Sequence, residues 1–261
     1  MLRTLLNAVP ITVLMVAAVC LTVAVMALAV WVVRRTVPAT RDGFHAEISA
    51  PMLGIVAAVF GLLLAFVIII AYQNFLEADD NASREAAALS SIVRDSAAFP
   101  EPGGSNVRRA VGAYVRSVVE DEFPQMREGT DSDVAKGTLD GVFAAFRTVE
   151  PRTPEQTAFY DDAVRQLNET LDARRNRIES AVGGLPWDIA VLILFSSFVV
   201  VAYSLVVGSP SFWFHLLGPA AIASVVAVSL VVLVDLSYPF SGDFAIPPDD
   251  FRTGVLKAFF N

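Results

Sequence analysis

Apolar positions along this chain fall into four long blocks without internal charges. Between the second and third lies a segment in which apolar residues recur at helical spacing among charged ones. The first block runs from Ala8 to Val33; at a rise of about 1.5 Å per residue it reaches roughly 39 Å, enough to cross a bilayer with tilt. A cleaved leader would have an apolar core of about 7–15 residues, so a retained helix is expected despite the small-residue triplet Ala27-Leu28-Ala29. The second block, Ala50 to Tyr72, contains the run GLLLAFVIIIAY and also suffices to span. The third, Pro186 to Val207, carries Asp188 near its start, where a helix N-terminus favours negative charge. The fourth, Phe212 to Val234, opens on Phe212-Trp213-Phe214 and His215, a composition suited to a membrane interface. Only Gly208-Ser209-Pro210-Ser211 separates the last two blocks, so they form an antiparallel hairpin.

The segment from Gln73 to Gly184 reads as helical. Val107, Val111, Tyr114, Val115 and Val118 trace an amphipathic stripe expected to stop at Pro124. Leu139, Val142, Phe143 and Phe146 trace a second. A third begins at Thr153-Pro154-Glu155-Gln156, where Thr153 can cap and Gln156 occupies the capping-box position, and ends at Gly183-Gly184. No Pro or Gly occurs between Gly61 and Pro100, so the second membrane helix is expected to continue through Glu77 to about Ala98. The pattern predicts an all-α membrane protein: four transmembrane helices with an α-helical cytoplasmic domain inserted between helices two and three. Residues 1–72 hold the first two spans, 73–184 the inserted domain, 185–234 the third and fourth spans, and 235–261 a C-terminal tail.

Composition agrees with that partition. The chain is 55% apolar and 18% charged, against about 25% charged in soluble domains. Of the net charge of −8, the insert carries −7, with thirteen Lys and Arg against twenty Asp and Glu. A sequence pI near 4.8 offers no phosphate-neutralising surface, so nucleic acid is excluded as a partner. The only cysteine, Cys20, lies in an apolar block and reads as a packed residue. Arg3, Arg84, Arg174, Arg175, Arg177 and Arg252 flank the spans on the insert's side, against Arg34, Arg35 and Arg41 on the other. The bias places termini and insert in the cytoplasm, in a multi-pass protein of the cell inner (plasma) membrane.

No constellation for catalysis is legible, and no cofactor or metal is expected. Asp131-Ser132-Asp133 begins like a calcium loop, but Ala135 and Lys136 stand where a ligand and a glycine are required. It reads as a capped helix start. Glu120-Asp121-Glu122 and Asp161-Asp162 read as solvated helix faces. For His45 and His215, expected on the same side, an ordinary interfacial role outweighs a two-histidine metal site with Asp42 or Glu47.

The second span carries more. Gly54 and Ala58, following Ala50, lie on one helical row, and Ala57, Gly61 and Ala65 on the next; such spacing allows close helix approach, within a subunit or around a symmetry axis. Gln73, Asn74, Glu77, Asp79 and Asp80 follow at once. Around an axis they would ring a pore mouth and favour cations, with Leu62, Leu63, Phe66, Ile69 and Ile70 in the apolar constriction. A solvated helix end is the plainer reading of those acids. No charge lies well inside a span, which argues against a proton-coupled pump but not against a passive pore.

Two stretches, GLLLAFVIIIAYQNFLEADDNASREAAAL and FPEPGGSNVRRAVGAYVRSVVEDEFPQM, resemble the bestrophin-like family of bacterial membrane proteins. The late segment DLSYPFSGDFAIPPDDF is similar to that family's closing signature at Asp235, Leu236, Pro239, Phe240 and Gly242. The resemblance implies a homo-oligomeric, pentameric ion channel, in contact with lipid, with its own copies and with inorganic ions, whose second span lines the pore. Asp243, Asp249 and Asp250, interrupted by Pro247-Pro248, do not reproduce the family's acidic calcium clasp. The competing expectation is a non-conducting membrane scaffold or sensor whose acidic domain binds a cytoplasmic partner.

Overall fold

The structure, a computed structural model, describes residues 2–37, 40 and 46–260. Every regular element among them is helical. In chain order these are α1 (Leu2–Ala8), α2 (Ile11–Thr36), α3 (Ala46–Asp95), α4 (Gly103–Ser117), α5 (Phe123–Met126), α6 (Asp133–Phe146), α7 (Pro154–Val182), α8 (Trp187–Ser204) and α9 (Phe212–Leu236). Short 3-10 turns occupy Ser96–Ala98, Asp249–Arg252 and Gly254–Phe260, and a π-helical turn Val118–Glu122. The chain forms two compact units: a membrane unit of Ala8–Gln73 and Gly184–Ser237, and a polar unit built from the described residues of Met1–Asn7, Asn74–Gly183 and Tyr238–Asn261.

Among the described residues, four helices are long and apolar enough to cross a membrane. Helix α2 starts at Ile11, not at Ala8, because Pro10 disfavours helical backbone at Val9 and splits off α1. Helix α3 runs unbroken for 50 residues, about 75 Å, since nothing between Gly61 and Pro100 supplies a stop signal. Helix α8 ends at Ser204, short of Val207. The chain around Gly208–Ser211 is held by Arg34, whose guanidinium donates to the carbonyls of Ser209 (2.7 Å) and Pro210 (2.8 Å). One apolar cluster joins Phe60, Leu64, Val67 and Ala71 of α3 to Ile193 and Val200 of α8 and Val226 and Leu233 of α9. A second joins Met26 and Val30 of α2 to Leu216 and Ala223 of α9. The remaining helix faces are apolar and exposed, as lipid requires, and Trp31, Trp187 and Trp213 stand exposed near span ends.

The polar unit closes around Leu89, Ile92, Val107, Val111, Val115, Val118, Leu139, Val142, Phe146, Ala163 and Leu167, each nearly or wholly buried. Burial of each large side chain contributes roughly 1.5–3 kcal/mol. Two of its helices begin as their sequences specify: Ser132 accepts from the Ala135 N–H, and Thr153 from the Gln156 N–H. The Gln156 side chain accepts in return from the Arg152 N–H. Pro124 does not end the Val107 stripe at a loop; it sits in the first turn of α5, which the π turn links to α4. The C-terminal segment delivers Phe240, Ile246, Phe251 and Leu256 into this core, and α1 joins the same unit.

Candidate functional site

Helix α3 carries the features on which a site can be built. At 3.6 residues per turn, successive residues turn by about 100°, so Leu62, Phe66 and Ile69 share one face of its membrane part. All three are exposed in the protomer, at 61%, 58% and 51%. Met52, Ile55 and Val59 continue that apolar face toward the helix start, and Ile70 lies exposed at its border. Leu63 is placed differently, half-buried against the α3–α8–α9 cluster, as is Ala57.

The small residues Gly54, Ala58, Gly61 and Ala65 are exposed. A Cβ built on Gly54 or Gly61 would meet nothing within 4 Å, so these glycines serve no close approach inside the described protomer.

Gln73, Asn74, Glu77, Asp79 and Asp80 are all exposed, but they do not share one face. Glu77, Asp80 and Arg84 lie together at spacings of three and four. The Arg84 guanidinium pairs with the Asp80 carboxylate at 2.6 Å. Asp79 is turned by about 100° from Asp80. Its neighbour one turn on, Ser83, donates its hydroxyl to the carboxylate of Asp250 in the C-terminal segment. Partial burial, then the charges of Asp250 and Asp80, push the Asp79 carboxyl above the usual carboxylate range.

Further along α3 stands a cluster that the sequence pattern does not announce. Glu85, wholly buried, accepts from the Arg177 guanidinium of α7 at 2.7 Å and from the Tyr114 hydroxyl of α4. Arg177 also donates to Glu122 at 2.6 Å and lies between the rings of Phe123 and Phe251, 5.1 and 5.7 Å from their centres. Arg174 completes the set by pairing with Glu122 at 2.5 Å. Two carboxylates thus face two guanidiniums, and the cluster is neutral. Burial pushes Glu85 above its ordinary range against the pull of Arg177. Burial acts to lower Arg177, but Glu85 and Glu122 outweigh it and hold the guanidinium protonated. Glu122 is therefore no solvated helix face. It lies one turn beyond Val118 on the buried stripe of Val107, Val111, Val115 and Val118, and the Arg174-x-x-Arg177 spacing is the sequence signal that pairs with it. Because these groups satisfy one another away from water, the cluster anchors α3 to α4, α7 and the C-terminal segment.

The closing signature acquires specific roles. Asp235 is buried at the end of α9. The Pro239 carbonyl accepts from the Ile246 N–H at 2.9 Å, Phe240 packs edge-on against Phe123, and Gly242 sits at φ +80°, which favours glycine. The Gly242 N–H donates to the Asn7 side chain, whose amide in turn donates to the Arg127 carbonyl. His215 is buried, with Nε2 3.1 Å from the Leu205 carbonyl and Nδ1 3.5 Å from Arg34. His45 and Asp42, and the side chain of Glu47, lie outside the described residues. Among the described residues no three His, Cys, Asp or Glu side chains converge to hold a metal.

The fold has close counterparts among solved structures. A variant of a bacterial bestrophin homologue from Klebsiella pneumoniae matches with a TM-score of 0.69 at 12% identity, over 95% of this chain and 99% of that one. A second variant of that homologue gives a TM-score of 0.65 at 14% identity, over 94% of each chain. A variant described as a membrane protein gives 0.63 at 12% identity, again over 94% of each. No protein of curated function matches the sequence. The model of the bestrophin-like domain matches residues 20–251, nearly the whole chain. With that domain, the bestrophin fold and four membrane-spanning helices, this multi-pass membrane protein belongs to the bestrophin-like family.

Proposed function

We propose that the chain is one protomer of a homo-oligomeric, pentameric ion channel that conducts passively through a pore lined by α3. The observation that carries this reading is that the exposed apolar face of Leu62, Phe66 and Ile69 continues along the same face of α3 to the exposed Glu77 and Asp80. An apolar stripe of this kind narrows a pore by dewetting, without any titratable group in the membrane. The exposed row of Gly54, Ala58, Gly61 and Ala65 supports close packing against a neighbouring copy. Leu63 and Ala57 then belong to packing within the protomer, and Ile70 to the border of the constriction.

The pore opens at Gln73, Glu77 and Asp80, on the cytoplasmic side of the inner membrane, while Asn74 and Asp79 lie on other faces of α3. Acidic side chains at that mouth favour cations. The orientation rests on the Arg bias of the flanks, from which Arg177 is subtracted because it is buried in an ion pair.

Ion flux from liposomes containing purified protein tests the proposal. Passive sodium or potassium flux that rises when Leu62→Ser or Phe66→Ser wets the constriction supports it. A monomer with no flux of any ion contradicts it.

A further inference from the structure

The three carboxylates at the exit of α3 are not equivalent. Asp80 is bonded to Arg84 one turn further along the same helix face, at 2.6 Å, with both side chains more than half exposed. Asp79 points to a different face, the one on which Ser83 engages Asp250. Glu77 is exposed on the Asp80–Arg84 face, and among the described residues no ion pair involves it. The face shared by Glu77, Asp80 and Arg84 therefore presents one uncompensated carboxylate per protomer, Glu77, followed by an internally neutralised pair.

From this geometry we infer that Arg84 is a selectivity-determining residue: it masks Asp80 and holds the cation preference of the pore mouth below what its carboxylates alone would set. The inference rests on the channel reading given above. An exposed i, i+4 ion pair contributes only a few tenths of a kcal/mol to stability, so evolution of the pair for folding is a weak alternative. Its electrostatic effect on a passing ion is larger. Removing the guanidinium restores a full negative charge at Asp80 in every protomer, and around a shared axis several such charges act on one ion through water.

Reversal potentials of the purified full-length protein in planar bilayers under a sodium chloride gradient test this. Arg84→Gln raises the sodium-to-chloride permeability ratio by about threefold, the scale of a unit charge acting across several ångströms of water. Arg84→Lys keeps the charge and leaves the ratio near that of the unaltered protein. Asp80→Asn combined with Arg84→Gln returns the ratio to near its starting value, and Glu77→Gln lowers it. Currents that persist in Arg84→Gln with an unchanged ratio, or one shifted toward chloride, overturn the inference and leave the channel reading standing. Absence of current in the unaltered protein overturns both.

Discussion

At the scale of single residues, Arg177 holds the buried charge cluster together by pairing with both Glu85 and Glu122. Glu120-Asp121-Glu122 looks like any solvated acidic run, and two of the three do face outward, Glu120 fully and Asp121 partly. Glu122 nevertheless falls on the buried stripe, one turn beyond Val118, where it meets Arg174 and Arg177. Replacing Arg177 with Met would strand Glu85 and Glu122 without their shared counter-ion. Loss of one member of a buried pair costs about 3–5 kcal/mol, so Arg177→Met lowers the thermal midpoint by roughly 6 °C or more. Differential scanning fluorimetry reads it; a loss of 1–2 °C would mean that the cluster is not the anchor described here.

Asp79 gives a pH-dependent counterpart. Its carboxyl is raised in the folded protein by partial burial, Asp250 and Asp80, so the folded state binds that proton more tightly than the unfolded chain does. The unfavourable contribution of ionised Asp79 is felt above its raised value and fades as pH falls through it. Asp79→Asn consequently raises the thermal midpoint slightly at neutral pH, and its advantage over the unaltered protein disappears toward about pH 4. An advantage that persists or grows in acid would contradict this assignment.

Among the elements, α3 was the most fully legible, because helix continuation depends on local signals and the absence of Gly and Pro after Gly61 is visible in the sequence itself. The caps at Ser132 and Thr153 were legible for the same reason. Which face of α3 packs and which stays bare was not, since Leu62 and Leu63 are chemically alike and only the positions of α8 and α9 distinguish them. The bare small-residue row makes a prediction at this scale. A Cβ at position 61 meets no atom of the described protomer within 4 Å, so Gly61→Ala retains helix content and protomer fold, whereas the oligomer dissociates at lower detergent concentration. Native mass spectrometry distinguishes the cases; an oligomer of unaltered stability would show that the row faces lipid.

For the whole molecule, the four spans were readable because lipid demands long apolar runs. The polar unit draws on three separate stretches of the chain. That Asn7 would bond Gly242, and that Phe240 and Phe251 would enter a core built mainly from residues 78–181, depends on closures across more than a hundred residues that no local period reports. The signature at Pro239, Phe240 and Gly242 marked the place without explaining it; the tight turn and the buried ring do. A reconstruction by electron cryomicroscopy of the purified protein in lipid nanodiscs tests whether α3 lines a pore. A pore of this kind gives a five-fold symmetric assembly with Leu62, Phe66 and Ile69 of α3 nearest the axis. A monomer, or an assembly whose axis is lined by α2, α8 or α9, would contradict it.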